Sequence, residues 1–176
     1  DSIRFPYNAG TSDPIHLNEL LAFLRVAIWR GIYLRDMLDR NGIHFYTDLR
    51  RFDDLPFKIE AFSKARSVVA IPEYLYYYRL SRPGQDISAD DERLYVHFPI
   101  FQYLDEFIQK SSDRRQLDYL QIVKVHTHRY ALEKIKPQYI SEYCKRSKKD
   151  IRSNYKFFEG SYIIWHNGSK EDMLYY

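Results

Sequence analysis

The chain has 176 residues, of which 45% are apolar and 29% charged, and tyrosine alone accounts for 17 of them. This length suits one domain, or one domain with a helical extension, and the apolar fraction is sufficient for a hydrophobic core. The 27 basic and 24 acidic residues leave a net charge of +3, and no RNA- or DNA-binding signature is present, which argues against a nucleic-acid-binding protein. The lone cysteine, Cys144, excludes an intramolecular disulfide and suits a reducing compartment. No run of about 18 apolar residues occurs, so the sequence predicts no membrane-spanning helix.

The first part of the chain predicts three helices separated by turns. The first is expected to begin at Asp13, with leucines at helical spacing after it. A second, amphipathic helix is expected over residues 26–38 and should stop at Gly42, because glycine commonly ends helices. Residues 43–46 predict a short strand or extended segment. The third helix is expected over residues 54–66.

Two short strands and a helical C-terminal half are expected next. The β-branched run at residues 67–71 and the tyrosine-rich run at residues 74–80 both favour strands. Residues 81–88 contain proline and glycine and predict a loop. The remaining helices are expected near residues 90–110, 113–135 and 137–153. The predicted fold class is therefore mainly α with a small β component (α+β).

Asp53 and Asp54 stand at the expected start of the third helix. The helix dipole lowers the pKa of a carboxyl group placed there, whereas a second carboxylate beside it raises that pKa. Such a carboxylate can serve as a general base, but acidic residues at this position are often plain N-caps. Downstream, Arg79 and Arg82 carry guanidinium groups that suit phosphate oxygens, although exposed arginines are also common on protein surfaces.

Histidines and a basic run mark the C-terminal half. His126 and His128 are two residues apart, so on a helix they face different ways and would not chelate one metal ion together. The basic run at residues 145–156 is either a solvated helix face or a contact for anionic lipid headgroups or acidic polymer. The residues expected to make a peripheral membrane contact are Lys145, Arg146, Lys148 and Lys149.

Three blocks of sequence occur in a fixed order: AIWRGIYLRDMLDRNGIHF at residues 27–45, FDDLPF at 52–57 and LYYYRLSRPGQDIS at 75–88. They resemble the Trp-x-Lys-x-Tyr-x-Arg segment, the Glu-Asp-x-x-Phe catalytic segment and the Tyr-x-Tyr-Arg loop of family 2 glycosyltransferases with the GT-A fold. The resemblance covers about residues 15–110 and concerns the acceptor-side half of that fold. These enzymes transfer a sugar from a nucleotide-sugar donor to an acceptor hydroxyl with inversion.

By position, the resemblance implies that Asp54 is the catalytic base. It also implies acceptor contacts from Asp53, Trp29 and Arg30. The residues implied to hold the donor phosphates are Arg79, Arg82, Gln85 and Ser88. Gly31 departs from the family pattern, which usually has lysine there, and Asp53 stands where glutamate is usual.

The resemblance further implies that an N-terminal, nucleotide-binding half with an Asp-x-Asp metal site belongs to the same enzyme. We therefore expect no metal ligands in this chain, a divalent Mg or Mn ion in the full-length enzyme, and no activity from these residues alone. The expected division is an acceptor-side part at residues 1–88 and a helical region at residues 89–176.

The biological setting that the resemblance implies is bacterial cell-surface polysaccharide synthesis. The partners would be a nucleotide-sugar donor and a glycan acceptor, with no nucleic acid. The expected location is the cytoplasm, peripherally at the inner face of the plasma membrane. The alternative is a noncatalytic helical module that binds a protein partner or an anionic surface.

Overall fold

The computed structural model describes residues 11–12, 26–49, 51–69, 75–79, 89–111 and 115–153, and within them the chain is predominantly helical. The elements in chain order are β1 (Thr11–Ser12), a first 3₁₀ helix (Ile28–Arg30), α1 (Arg35–Asn41), α2 (Asp54–Lys64), β2 (Val68–Val69), a second 3₁₀ helix (Glu92–Val96), α3 (His97–Gln109), α4 (Arg115–Lys134) and α5 (Pro137–Ser153). The first predicted helix, the loop at residues 81–88 and the last 23 residues lie outside the described ranges.

Strand structure in the described part is limited to one short antiparallel pair. Thr11 lies opposite Val69 and Ser12 opposite Val68, so two of the three described residues of the strand expected at 67–71 are paired. The prediction of a strand over residues 74–80 is wrong for residues 75–79, which have no regular secondary structure. Instead, the ring of Tyr78 stacks on Trp29 and that of Tyr76 contacts it. Residues 75–79 pair with no strand of the described part.

The helix expected over residues 26–38 is broken at Gly31. The first 3₁₀ helix ends there in an extended conformation, with φ −131° and ψ 150°, and α1 does not begin until Arg35. The ring of Tyr33 folds back so closely that a Cβ on Gly31 would lie 3.0 Å from its Cε2 and Oη atoms. The predicted stop is confirmed, because Gly42 ends α1 in the left-handed conformation at φ 64°.

The third predicted helix is confirmed as α2, and it is enclosed on all sides. Every residue from Leu55 to Ala61 is buried. A helix buried all round must pack against other elements on more than one face, and α2 does so. It separates two apolar clusters, which we call the main cluster and the front cluster.

The main cluster joins α2 to the C-terminal helices. Leu55 and Ile59 contribute to it from α2. Its other buried members are Ile100, Phe101, Leu104, Ile108, Leu117, Leu120 and Val123. Burial of each such side chain contributes roughly 1.5–3 kcal/mol to folding.

The front cluster joins α2 to the N-terminal elements. Phe57 and Ala61 of α2 pack there with Ile43. Partly buried side chains complete it, namely Ile28, Tyr33, Met37 and Leu38. Through this packing α2 fixes the position of the first 3₁₀ helix relative to its own N-terminus.

Helices α3, α4 and α5 pack together and confirm the helices expected in the C-terminal half. The segment expected as one helix near residues 90–110 is a 3₁₀ helix followed directly by α3. Asp91 caps the 3₁₀ helix by accepting a hydrogen bond from the backbone N–H of Arg93, at 3.1 Å. Pro137 occupies the first position of α5, where the missing N–H costs little.

A buried ionic group ties these three helices together. The ammonium of Lys124, which has no solvent exposure, donates to Asp105 at 2.6 Å and to Asp150 at 2.9 Å. His128 lies 2.7 Å from the second oxygen of Asp150. Burial alone would raise the pKa of Asp150, but the His128 hydrogen bond and the Lys124 charge outweigh it and lower that pKa.

The same group extends through two further side chains. The hydroxyl of Tyr143 lies 3.0 Å from Nδ1 of His128 and 3.1 Å from Nδ1 of His97. Burial lowers the pKa of His128, and it lowers that of His97 to about 3. Both rings are therefore neutral at pH 7. His126, the other histidine of the pair singled out in the sequence, is only partly buried.

In the described part of the chain, every helix is too short or too polar to cross a bilayer.

Candidate functional site

The turn before α2 presents the acidic pair. Phe52 has φ 56°, in the left-handed region that non-glycine residues rarely adopt. Its ring packs edge-on against His97, with centroids 4.5 Å apart, and it also contacts the main cluster. The partly buried ring therefore holds a strained backbone in place directly before the two carboxylates. Strain of this kind costs about 1–3 kcal/mol and is often found at functional sites.

Asp53 does not act as a simple N-cap of α2. Asp53 occupies the N-cap position but already has helical dihedrals, φ −66° and ψ −20°. Its side chain makes no capping hydrogen bond to the first turn of α2. The capping alternative is thus not realised by Asp53, and both carboxylates are partly buried.

Asp54 is a carboxyl group with a raised pKa. Burial is the largest cause, and the negative charge of Asp53 adds to it. The backbone N–H groups at the start of α2 and the ammonium of Lys58 act in the opposite direction. The helix dipole and the second carboxylate have the opposing effects expected from the sequence, but burial, which the sequence did not indicate, decides the direction of the pKa shift.

Lys58 lies one helical turn after Asp54 and is 5% exposed. Burial lowers its pKa to about 7, and the charge of Arg30 contributes in the same direction, while Asp54 opposes the shift. Arg30 and Asp54 are therefore both close enough to Lys58 to shift its pKa. This interaction brings the end of the first 3₁₀ helix to the start of α2.

Tyr33 forms another side of the site. Its ring meets Phe57 edge-on at 5.2 Å, and burial together with the charge of Asp54 raises the pKa of its hydroxyl. The phenol is protonated at neutral pH and is a hydrogen-bond donor near the acidic pair. The missing side chain at Gly31 leaves the room that this ring occupies.

Trp29 forms an aromatic platform next to Arg30. Its ring is stacked on Tyr78, with centroids 4.6 Å apart and planes at 4°, and it also contacts Tyr76 at 6.1 Å. Flat aromatic faces of this kind suit the apolar faces of sugar rings and bases. The tyrosine segment is held against the first 3₁₀ helix by these two contacts.

An open groove runs along the same segment. It has a volume of about 350 Å³ and is lined by Tyr76, Tyr77, Tyr78 and Arg79. Tyr77 is 94% exposed. The groove therefore offers aromatic faces, phenol hydroxyls and a guanidinium group to a ligand.

The structure brings most of the described candidate residues into one region. Trp29 and Arg30 are neighbours, Arg30 and Asp54 both act on Lys58, and Arg79 follows the tyrosine that stacks on Trp29. Arg82, Gln85 and Ser88 lie outside the described residues. The acceptor and phosphate roles of all these residues stay predictions.

Sequence reasoning missed several residues of the site. Lys58 stands four residues after Asp54, a spacing that places both on one helix face, so a signal was present. Tyr76 and Tyr78 alternate as residues of an extended segment do, which indicates that they share a side. Nothing in the sequence indicated that Tyr33 would fold back onto Gly31.

A second polar group on α2 lies apart from the acidic pair. The buried carboxylate of Glu60 accepts hydrogen bonds from Tyr46 at 2.5 Å and from Tyr103 at 2.7 Å. Burial, followed by the hydrogen bond to Glu60, raises the pKa of Tyr46. This group links residues before α2 to α3 and has a structural role.

Metal ligation is not supported by the side chains in the described ranges, where no three His, Cys, Asp or Glu residues converge. The described residues thus form no site for the divalent ion that the resemblance implies, and the expectation that this ion belongs to the full-length enzyme stays a prediction.

A comparison with known proteins bears on the function. A stretch of 83 residues, 47% of the chain, is 30% identical to an uncharacterized glycosyltransferase, EpsJ, of Bacillus subtilis (strain 168). This region is glycosyltransferase-like. The match spans 21% of the relative, so the chain corresponds to about a fifth of that protein's length. No family model matches the chain, and no solved structure matches it.

Proposed function

We propose that this chain is the acceptor-side part of an inverting family 2 glycosyltransferase with the GT-A fold. It would act on a nucleotide-sugar donor and on a hydroxyl of a glycan acceptor. The observation that carries the proposal is the carboxyl group of Asp54. It is partly buried, has a raised pKa and follows a strained turn at Phe52, on the helix that also carries Lys58, whose pKa responds to both Asp54 and Arg30. The similarity to a bacterial glycosyltransferase supports the same reaction class.

The proposed reaction is a single displacement at the anomeric carbon. The carboxylate of Asp54 accepts the proton of the acceptor hydroxyl while that oxygen bonds to the anomeric carbon. The bond from this carbon to the donor phosphate breaks, and the nucleoside diphosphate leaves with the electron pair. A raised pKa makes the ionised Asp54 a stronger base than an ordinary aspartate, provided that the pH exceeds that pKa.

The neighbouring residues take supporting roles. Lys58 favours the ionised form of Asp54, which is the form a base requires. Trp29 and Tyr78 offer a stacked aromatic surface beside Arg30, where a sugar ring of the acceptor can rest. Arg79 and Arg82 would offset negative charge on the departing diphosphate.

We extend the proposal to bacterial cell-surface polysaccharide synthesis on the cytoplasmic side of the plasma membrane. Its support is the bacterial origin of the similar glycosyltransferase. The same proposal includes a nucleotide-binding half elsewhere in the enzyme and a Mg or Mn ion. It also includes the expectation that the isolated chain is inactive.

The test of the proposal is replacement of Asp54 in the intact enzyme. Asp54→Asn keeps the size of the side chain but removes the base, so we expect sugar transfer to fall by at least about 10²-fold while donor binding is retained. Transfer is measured with a panel of nucleotide sugars by release of nucleoside diphosphate. The matched control is Asp39→Asn, which removes an exposed carboxylate of α1 that pairs with Arg35 and should retain turnover. Full turnover of Asp54→Asn would refute the assignment.

The noncatalytic module remains the second candidate because of one observation. Ile32, Leu34 and Tyr77 are largely exposed, with Ile32 at 102% and Tyr77 at 94%. Ile32 and Leu34 are two residues apart in an irregular segment, and exposed apolar side chains that cluster are typical of protein contacts. If no nucleotide sugar is bound or turned over, and if Ile32→Ser abolishes capture of a partner protein, this second function is favoured.

A further inference from the structure

The rotation of α5 is fixed by the side chains that it buries. Tyr143 and Ser147 have no solvent exposure, and Asp150 is bonded to the buried Lys124. These three residues are spaced by four and three positions, so they form one side of the helix. The side facing away from α3 and α4 is thereby determined.

Four cations lie on the outward side of α5. They are exposed and spaced by three, one and three positions, which places them on one face over about 10 Å of helix. We call Lys145, Lys148, Lys149 and Arg152 the basic stripe. Within the residues that the structure describes, none of the four forms a salt bridge.

Several exposed or partly exposed cations elsewhere in the described part have acidic partners. The distances range from 2.9 Å to 3.5 Å. The pairs are Arg35 with Asp39, Arg40 with Asp36, Arg129 with Glu133, and Lys136 with Asp90. The basic stripe is therefore a local excess of positive charge, whereas the cations of these four pairs are each neutralised by a neighbouring carboxylate.

Arg146 belongs to the same basic run but not to the stripe. Its guanidinium lies 4.4 Å from the ring centroid of Phe98 and 5.1 Å from that of Tyr95. These cation–π contacts hold it on the body of the protein. We therefore leave Arg146 out of the stripe and include Arg152, which also belongs to the basic run at residues 145–156.

We propose that the basic stripe of α5 docks the protein on a membrane surface that contains anionic phospholipids. Four cations on one convex helix face match a planar layer of negative headgroups. The other face of α5 is used by the core, so the contact is made at the level of the headgroups without insertion of the helix. Binding to single-stranded nucleic acid commonly adds aromatic side chains that stack on bases, and the stripe contains none.

The test is cosedimentation of the full chain with vesicles. We expect binding to phosphatidylcholine vesicles that contain about 30% phosphatidylglycerol, and little binding to pure phosphatidylcholine. About 0.5 M salt should release the protein, because salt screens the attraction between surface charges, over roughly 8–10 Å already at physiological concentration. Each cation contributes about fivefold to such binding, so replacing all four should weaken it several hundredfold. The variant carries Lys145→Gln, Lys148→Gln, Lys149→Gln and Arg152→Gln.

A matched variant separates the stripe from net charge. It removes the same four positive charges at paired positions, with Arg35→Gln, Arg40→Gln, Arg129→Gln and Lys136→Gln, and should keep most of the binding. The single change Lys148→Gln should lower binding about fivefold, and it replaces the variant with four substitutions if that variant does not fold.

The proposal would be overturned if the two variants with four substitutions lost vesicle binding equally. It would also be overturned by equal binding to both vesicle types, or by binding to single-stranded RNA in place of vesicles.

Discussion

Two glycines near the candidate site are required for different physical reasons. The backbone of Gly31 is extended and open to any residue, but the ring of Tyr33 occupies the space of a side chain. Gly42 has free space around it, and its φ of 64° is the constraint. The first glycine therefore matters for the site, and the second for the end of α1.

We expect the two positions to respond differently to the same substitutions. Gly42→Ala should cost about 1 kcal/mol, and Gly42→Asn less, because asparagine tolerates the left-handed region. At Gly31, asparagine should be at least as damaging as alanine, because the conflict is with the Tyr33 ring. Urea unfolding of the four variants measures this. A rescue by asparagine at Gly31 would show that its backbone, and not the space around it, is limiting.

At the scale of elements, two helices each bury a lysine in a different environment. Lys124 of α4 contacts two carboxylates at 2.6 Å and 2.9 Å. Lys58 of α2 is buried near the charges of Asp54 and Arg30, and burial is the main cause that lowers its pKa to about 7. The first lysine stabilises the bundle, whereas burial of the second opposes folding in its charged form.

The same substitution should therefore have opposite effects on the two helices. Lys124→Met leaves two buried carboxylates without their cation and should destabilise the protein by about 3–5 kcal/mol. Lys58→Met removes a poorly accommodated charge and should stabilise it by an amount on the order of 1–3 kcal/mol at pH 7. Chemical unfolding at pH 7 tests both. Destabilisation by Lys58→Met comparable with that of Lys124→Met would contradict the difference.

The pH dependence of the free energy of unfolding tests independently whether the buried charge of Lys58 opposes folding. Its pKa is about 7 in the folded protein and near 10.5 in the unfolded chain, so above pH 7 the unfolded state binds more protons. Stability should then rise from pH 7 to pH 9 by up to about 1.4 kcal/mol per unit, and Lys58→Met should abolish that rise.

At the scale of the whole molecule, α2 joins the two ends of the described structure. Its Leu55 and Ile59 belong to the main cluster, and its Phe57 and Ala61 to the front cluster. Residues on both sides of the boundary expected at position 88 thus share one core. This packing predicts a single cooperative unfolding transition.

The transition can be followed with one probe at each end. Trp165→Phe leaves Trp29 as the only tryptophan, so tryptophan fluorescence reports on the candidate site. Circular dichroism at about 222 nm reports mainly on the helices, and a small domain is expected to unfold in one cooperative transition. We expect coincident midpoints in urea. Separate midpoints would favour two independent domains at residues 1–88 and 89–176.

Local sequence patterns predicted the elements better than they predicted the site. The apolar spacing and Pro137 correctly placed α5, and Gly42 correctly placed the end of α1, because these signals act within one helix. The break at Gly31 was missed because the amphipathic pattern continues through it, and the packing of Tyr33 prevails over that pattern. The burial of Lys58 could not be foreseen either, since lysine is usually exposed and only the two clusters around α2 enclose it.

The most direct measurement of the central assignment is the pH profile of kcat/KM for sugar transfer in the intact enzyme, compared with that of Asp53→Asn. If Asp54 is the base, activity falls as the pH drops through its raised pKa. Removing the Asp53 charge, which contributes to that raised value, moves the acidic limb to lower pH. An acidic limb at the same pH in both proteins would contradict Asp54 as the base.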